Sequence, residues 1–392
     1  MTNIKQQIDV EALKELARKL VKRPSQQTEK MEYDPEIKGF IRDCLLPELK
    51  ERGLTNVKLD QMGNLICRIG RPDSAKKVLF LGYAMTHPAS SMNEPFAGQV
   101  VIEGGQEYLR GRGVSEQKGA LAAMIAAAEY VNKNLEELDG ELIFAVSLAG
   151  ETGRHDAIDS IRKEIDLKAD LGVVGIGTNS EICQGNKGRV DILVNVYGKS
   201  CHSSTPSLGV NAIEGAMEVV GKLREMPIKG EHPKLGKATL TSTSIKSFPD
   251  ATHTIQNECR LVFDRRLLPG DDVAAIVGEV EQTIAGHEPY KVDVVQGPVT
   301  FPSEVNDDSI VYKQLSAAIK AVTNEEATAF YSNSAIDAGY LNKWDIPSVM
   351  FGPGKMEYWH TDNEILGVEE LWNSAGIYAQ LAYNHLRKKS SV

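Results

Sequence analysis

The sequence predicts an α/β protein with a mixed sheet, interrupted by a smaller α+β insert. Three observations carry that expectation. Apolar runs alternate with helix-length amphipathic stretches, the pattern switches to period-two strands near Gly188, and the first style resumes after about residue 297. A chain of 392 residues exceeds one ordinary core, so two domains are expected.

Each element follows in order. Residues 9–22, DVEALKELARKLVK, set Leu13, Leu16, Ala17 and Leu20 on one helical face. Residues 34–52 read as a second helix, and NVKLD and NLICRIG as short strands, the latter after the turn-like Met62, Gly63 and Asn64. KKVLFLGYA is a continuous apolar run bounded by polar residues, as in a strand buried on both faces. Residues 119–132 form a strongly apolar helix, ELIFAVSLAG is another buried strand, and a helix and the strand DLGVVGIG follow.

In the insert, RVDILVNVYG alternates with period two, 211–224 is a helix, ATLTSTSIKS and ECRLVFDRRL are strands, 271–284 is a helix and YKVDVVQG a strand. That β-α-β-β-α-β order resembles a ferredoxin-like sandwich. Then come a helix at 308–322, the strand SVMFGPG and a C-terminal helix at 368–387. The expected division is 1–187 with 298–392 for the larger domain and 188–297 for the insert.

Composition narrows the function. The net charge of -10 is repelled by phosphate backbones and anionic lipid, so neither nucleic acid nor membrane is an expected partner. Five cysteines, an odd number with no C-x-x-C spacing, argue against a disulfide framework and a zinc ribbon. The first residues hold no apolar signal segment, and the longest apolar stretch, from Gly119, contains Glu129 and is too short to span a bilayer. A cytoplasmic location is expected.

Five segments carry a resemblance. GRGVSEQKG at 111–119 is similar to G-R-G-x-x-D-x-K-G, and GETG at 150–153 resembles E-E-x-G. GKSCHSSTPSLGVNAI at 198–213 looks like a lid motif with its histidine, and DRRLLPGDD at 264–272 resembles D-x-R-x-x-P. FGPGKMEYWHTDNE at 351–364 is similar to F-G-P-G…H-x-x-x-E. In this order, with this interruption, they resemble the M20 family of metallopeptidases and amidohydrolases. The lid and C-terminal segments are most similar to a branch linked to selenium metabolism. The resemblance implies a zinc-peptidase-like catalytic domain with a ferredoxin-like lid and dimerisation domain, and a homodimer through that lid.

It also implies roles, and exposes departures. Tyr83 stands where a histidine ligand is expected, and Met85 where an aspartate orients it. Gly150 stands at the general base and Ile176 at the late acidic ligand. Glu116, Glu151 and His360 keep ligand chemistry, and two carboxylates plus one imidazole suit one divalent metal, zinc or manganese, with a position left for water. A site without metal is the other expectation. His87, His155 and Asp156 are candidates to replace the base, each with a plainer reading as a loop or helix-start residue. The resemblance makes His202 a donor to the developing oxyanion and Arg266 the grip on a substrate carboxylate, with His253, Asn333 and Gly354 lining the pocket. The expected activity is hydrolysis of a C–N bond, amide or carbamoyl, in a small carboxylate-bearing substrate. A metal-independent reaction and an inactive binding protein of the same fold are the alternatives.

Overall fold

A computed structural model describes residues 3–150 and 154–388. The chain folds as two compact units. One is Met1–Gly185 with Glu304–Tyr331 and Asp337–Val392, and the other is Asn186–Ser303 with Ser332–Ile336.

The larger unit is built on a mixed sheet. Six of its nine strands lie side by side in the order Val57–Leu59, Leu65–Gly70, Glu141–Ser147, Lys77–Tyr83, Leu171–Gly175, Ser348–Phe351. The first two pairings are antiparallel, and the remaining ones are parallel. Lys77–Tyr83 and Glu141–Ser147 are almost wholly buried, as apolar runs covered on both faces must be. Helices Gly119–Lys133 and Val368–Leu386 pack against this sheet, with the Tyr378 ring tilted against Phe80 and edge-to-face with Phe351.

Helix Val10–Lys22 begins at Asp9, whose carboxylate accepts from Glu11 N and Ala12 N, and it buries the expected leucine stripe. The helix expected over 34–52 runs over 35–51 without interruption, with one wide π turn, Ile41–Leu45, set into it. Pro47 explains the wide turn, because it has no N–H for the carbonyl four residues earlier.

The smaller unit is a four-stranded antiparallel sheet in the order Thr239–Phe248, Glu258–Leu267, Gly188–Tyr197, Lys291–Thr300. Helices Ala212–Glu225 and Val273–Ile284 cover one face, giving the β-α-β-β-α-β order read from the sequence. Strict alternation buries Val190, Ile192, Val194 and Val196 from one strand and Cys259, Leu261 and Phe263 from its neighbour. Among the described residues no helix is long and apolar enough to cross a membrane.

Candidate active site

The parallel strands set the site. Register pairs Tyr83 with Ser147 and Leu81 with Val174, so Tyr83, Gly150 and Ile176 all leave the carboxyl ends of adjacent strands. Crevices at the carboxyl ends of parallel strands are where α/β sheets bind ligands. A cavity of about 200 Å³ lies there, lined by Tyr83, Met85, His87, Glu116, Gly150, Ile176 and His360 among others. A wider groove of about 980 Å³ runs past Glu11, Glu107, Glu325 and Glu369, but no histidine lines it, and Glu11, Glu107 and Glu369 are paired with Lys14 and Lys5.

Glu116 stands on a π turn, Val114–Lys118, just ahead of helix Gly119–Lys133. Single π turns inside helices recur at functional sites. The turn is held by Glu364, which is fully buried. Its carboxylate accepts from Gly113 N at 2.9 Å, Ser115 N at 3.0 Å, Glu116 N at 3.2 Å and Arg112 Nη1 at 3.0 Å. Burial, with the nearby Glu116 charge, pushes the Glu364 carboxyl above its ordinary range, against the pull of those donors and Arg112. Gly113 enters the turn at φ 81°, and a Cβ there would lie 2.5 Å from Thr86 Cγ2, so only glycine fits.

Glu116 Oε1 and His360 Nε2 are 2.9 Å apart, while Glu116 Oε2 is buried without a hydrogen-bond partner. His360 holds a left-handed backbone, φ 60°, rare for a residue with a side chain and concentrated at functional sites. The His87 ring stacks on it, with centroids 3.9 Å apart and planes within 15°. His87 Nδ1 lies 3.2 Å from the Pro88 carbonyl, so it carries the proton. Burial, then the charge His360 can carry, pushes the His87 pKa below its ordinary value.

An orphaned carboxylate oxygen beside an imidazole supplies two of the three protein ligands that a catalytic divalent cation takes. Among the described residues no group of three or more acidic, histidine or cysteine side chains is placed to hold an ion. The third expected ligand, Glu151, lies outside the described residues. Around the rest of the cavity Tyr83, Met85 and Ile176 offer no imidazole or carboxylate for a second ion.

The other candidates are placed as follows. His155 Nδ1 is 2.6 Å from Asp337 Oδ1, in a contact the sequence did not signal, and His155 does not line the cavity. Asp156 opens helix Asp156–Ile165 at the surface. Gly354 N donates to Glu370 Oε1 at 2.7 Å, outside the cavity lining. In the smaller unit His202 is exposed, and its Nδ1 accepts from Ser204 N at 3.2 Å. The His253 ring lies 6.4 Å from it. Arg266 grips Asp264 with Nε at 2.9 Å and Nη2 at 3.2 Å, and Nη1 donates to the Asn333 carbonyl at 3.2 Å. Its planar fork is therefore already on a carboxylate of its own strand.

The candidate list omits Arg112, Glu364 and Asp337. The first two lie inside quoted motifs, where their residue type was visible but not their task. Asp337 carries no local signal at all.

Comparison with known proteins agrees with this architecture. Residues 184–291 match the M20 peptidase dimerisation domain. The uncharacterized protein YgeY of Escherichia coli K12 is 25% identical over 91% of this chain and 96% of its own length. An N-formyl-4-amino-5-aminomethyl-2-methylpyrimidine deformylase of Halalkalibacterium halodurans is 26% identical over 72% of this chain and 73% of its own. An acetylornithine deacetylase of Aliivibrio salmonicida is 24% identical over 82% and 84%. In fold, the chain is similar to an M20 metallo-carboxypeptidase of Sulfolobus solfataricus, with a TM-score of 0.74 at 15% identity over 93% of this chain and 97% of that one. The chain is thus similar in fold to members of the M20 metallopeptidase family, and residues 184–291 match that family's dimerisation domain.

Proposed function

We propose that this chain hydrolyses an amide-type C–N bond of a small substrate, with Glu116, His360 and His87 as the reacting wall of its site. One observation carries the reading. Glu116 and His360 meet in a cavity wall, and the second Glu116 oxygen is buried with nothing bound to it. Relatives named as a deformylase and as a deacetylase support an amide-type bond.

A divalent ion held by Glu116 and His360, with Glu151 as a third donor, would polarise the scissile carbonyl and acidify water. The protein's own groups do the rest. His87, kept neutral near pH 7 by burial, takes the proton through its other ring nitrogen. It is favoured over His155, which Asp337 holds, and over Asp156, which is at the surface. His202 serves as donor to the oxyanion, and His253 and Asn333 contact the substrate. Arg266 takes a substrate carboxylate by exchanging Asp264 for it. The dimerisation-domain match supports a homodimer through the smaller unit.

The test combines elemental analysis with a panel of N-formyl, N-acetyl and N-carbamoyl amino acids, run on the protein and on Glu116→Gln and His360→Ala. Stoichiometric metal and turnover, both lost in the variants, are expected. Turnover that survives EDTA and both substitutions would remove this site. A second reading, a binding protein without turnover, is favoured by Tyr83 lining the side of the cavity where a base is expected. Retained binding of panel compounds with no hydrolysis would establish it.

A further inference from the structure

Gly150 does not have the left-handed backbone that usually demands glycine, for it is absent from the positive-φ positions. Space explains it instead. A Cβ at 150 would stand 2.4 Å from Tyr83 Cε1, 2.5 Å from Cζ and 2.8 Å from Cδ1. Unbonded carbons rest at about 3.5–4.0 Å. The overlap is with the flank of a rigid ring, so a small side-chain adjustment cannot relieve it.

The ring is fixed at both ends. Its backbone sits in the last register position of a parallel pair, opposite Ser147. Tyr83 itself is 2% exposed. At the far end its hydroxyl donates to Asp337 Oδ2 at 3.1 Å. The other oxygen of that carboxylate, Oδ1, takes His155 Nδ1 at 2.6 Å, and Asp337 is 2% exposed. One buried carboxylate thus ties together the end of strand Lys77–Tyr83 and the residue that caps helix Asp156–Ile165. Ionised acceptors make the stronger hydrogen bonds.

We propose that Tyr83 and Gly150 form a steric lock anchored by Asp337, and that Tyr83 is thereby the residue that limits which acyl groups the cavity admits. The two departures from the family pattern are then one event, because a carboxylate at 150 and a tyrosine at 83 cannot coexist. The cavity gains a flat aromatic wall in place of an acid. Asp337 is a positioning residue, acting on the cavity through Tyr83.

A double-mutant cycle read by thermal unfolding tests the lock without any assay of turnover. Gly150→Ala is expected to lower the melting temperature strongly in the native background and hardly at all in Tyr83→Ala. Tyr83→Phe, which keeps the ring and frees it from Asp337, should give an intermediate drop. Equal drops in all backgrounds would overturn the lock. If Gly150→Ala alone does not fold, the Tyr83→Ala/Gly150→Ala protein decides: folding supports the lock and failure to fold overturns it. The anchor has its own readout, the imidazole nitrogen resonances of His155. Asp337→Asn should move them and Tyr83→Phe should shift them less, whereas resonances unmoved by Asp337→Asn would remove the anchor. The acyl-size role rests on the hydrolase reading. Tyr83→Ala should extend the panel profile from formyl and acetyl toward longer acyl groups, and an unchanged profile would overturn that role while leaving the lock intact.

Discussion

The two walls of the cavity have opposite characters. On one, Glu116, His360 and His87 are packed in contact, with an unsatisfied oxygen and a backbone held in a rare conformation. On the other, Tyr83, Gly150 and Ile176 fill space, and the Tyr83 hydroxyl is turned to Asp337. The reactive wall leaves a polar group unsatisfied, whereas the packed wall leaves little room. The difference teaches that one side of a small cavity can be packed like core while the other holds polar groups in contact.

Four changes test that contrast, from the largest effect down. Glu364→Ala removes the support of the reactive wall and strands Arg112, which is fully buried. A loss of about 3–5 kcal/mol in urea unfolding is expected, the usual cost of breaking a buried pair. A loss below about 1 kcal/mol would show that the turn holds itself. His87→Ala should cut kcat on a panel substrate about 100-fold or more, the scale of general-base assistance, with the fold intact by circular dichroism. An unchanged kcat would move the base elsewhere.

On the packed wall, Ile176→Val should cost only about 1 kcal/mol by thermal melt and leave kcat within about twofold, as a deleted core methylene does. A large fall in turnover would mean this wall also reacts. The smallest effect lies behind it, at Asp159, beside Tyr340 whose ring touches His155. Burial would raise its carboxyl, but hydrogen bonds from Lys163, Tyr340 and Arg162 outweigh that and bring it from 3.8 to about 2. A depressed acid stabilises the fold above pH 3.8 and loses that contribution as pH falls through about 2. Asp159→Asn should therefore cost roughly 1 kcal/mol or less near neutrality, given its partial exposure, and flatten stability between those limits. An undiminished acid slope would assign it to other carboxylates.

Much of the fold was legible because burial leaves period and run length in the sequence. KKVLFLGYA could only be a strand covered on both faces, and RVDILVNVYG only one with a core side and a wet side. The wide turn at Ile41–Leu45 was not legible, because nothing in the amphipathic pattern changes where Pro47 withholds one N–H. At the site, motif order pointed to Glu116 and His360, which lie 244 residues apart in sequence and meet. The pairing of Tyr83 with Gly150 was invisible for a different reason. Each reads singly as a substitution, and only coordinates show that both claim the same volume. Asp337 was missed because a lone aspartate in a loop has no periodicity, and its two bonds reach back 254 and 182 residues.

The left-handed backbone at His360 has a consequence for how this protein can change. Asparagine or glycine would sit there with less conformational strain, so drift toward a sturdier molecule runs directly through the imidazole. A lineage that keeps histidine at this point accepts backbone strain to hold the ring against Glu116 and His87, and one that exchanges it for a better-fitting residue loses both contacts while the local backbone relaxes.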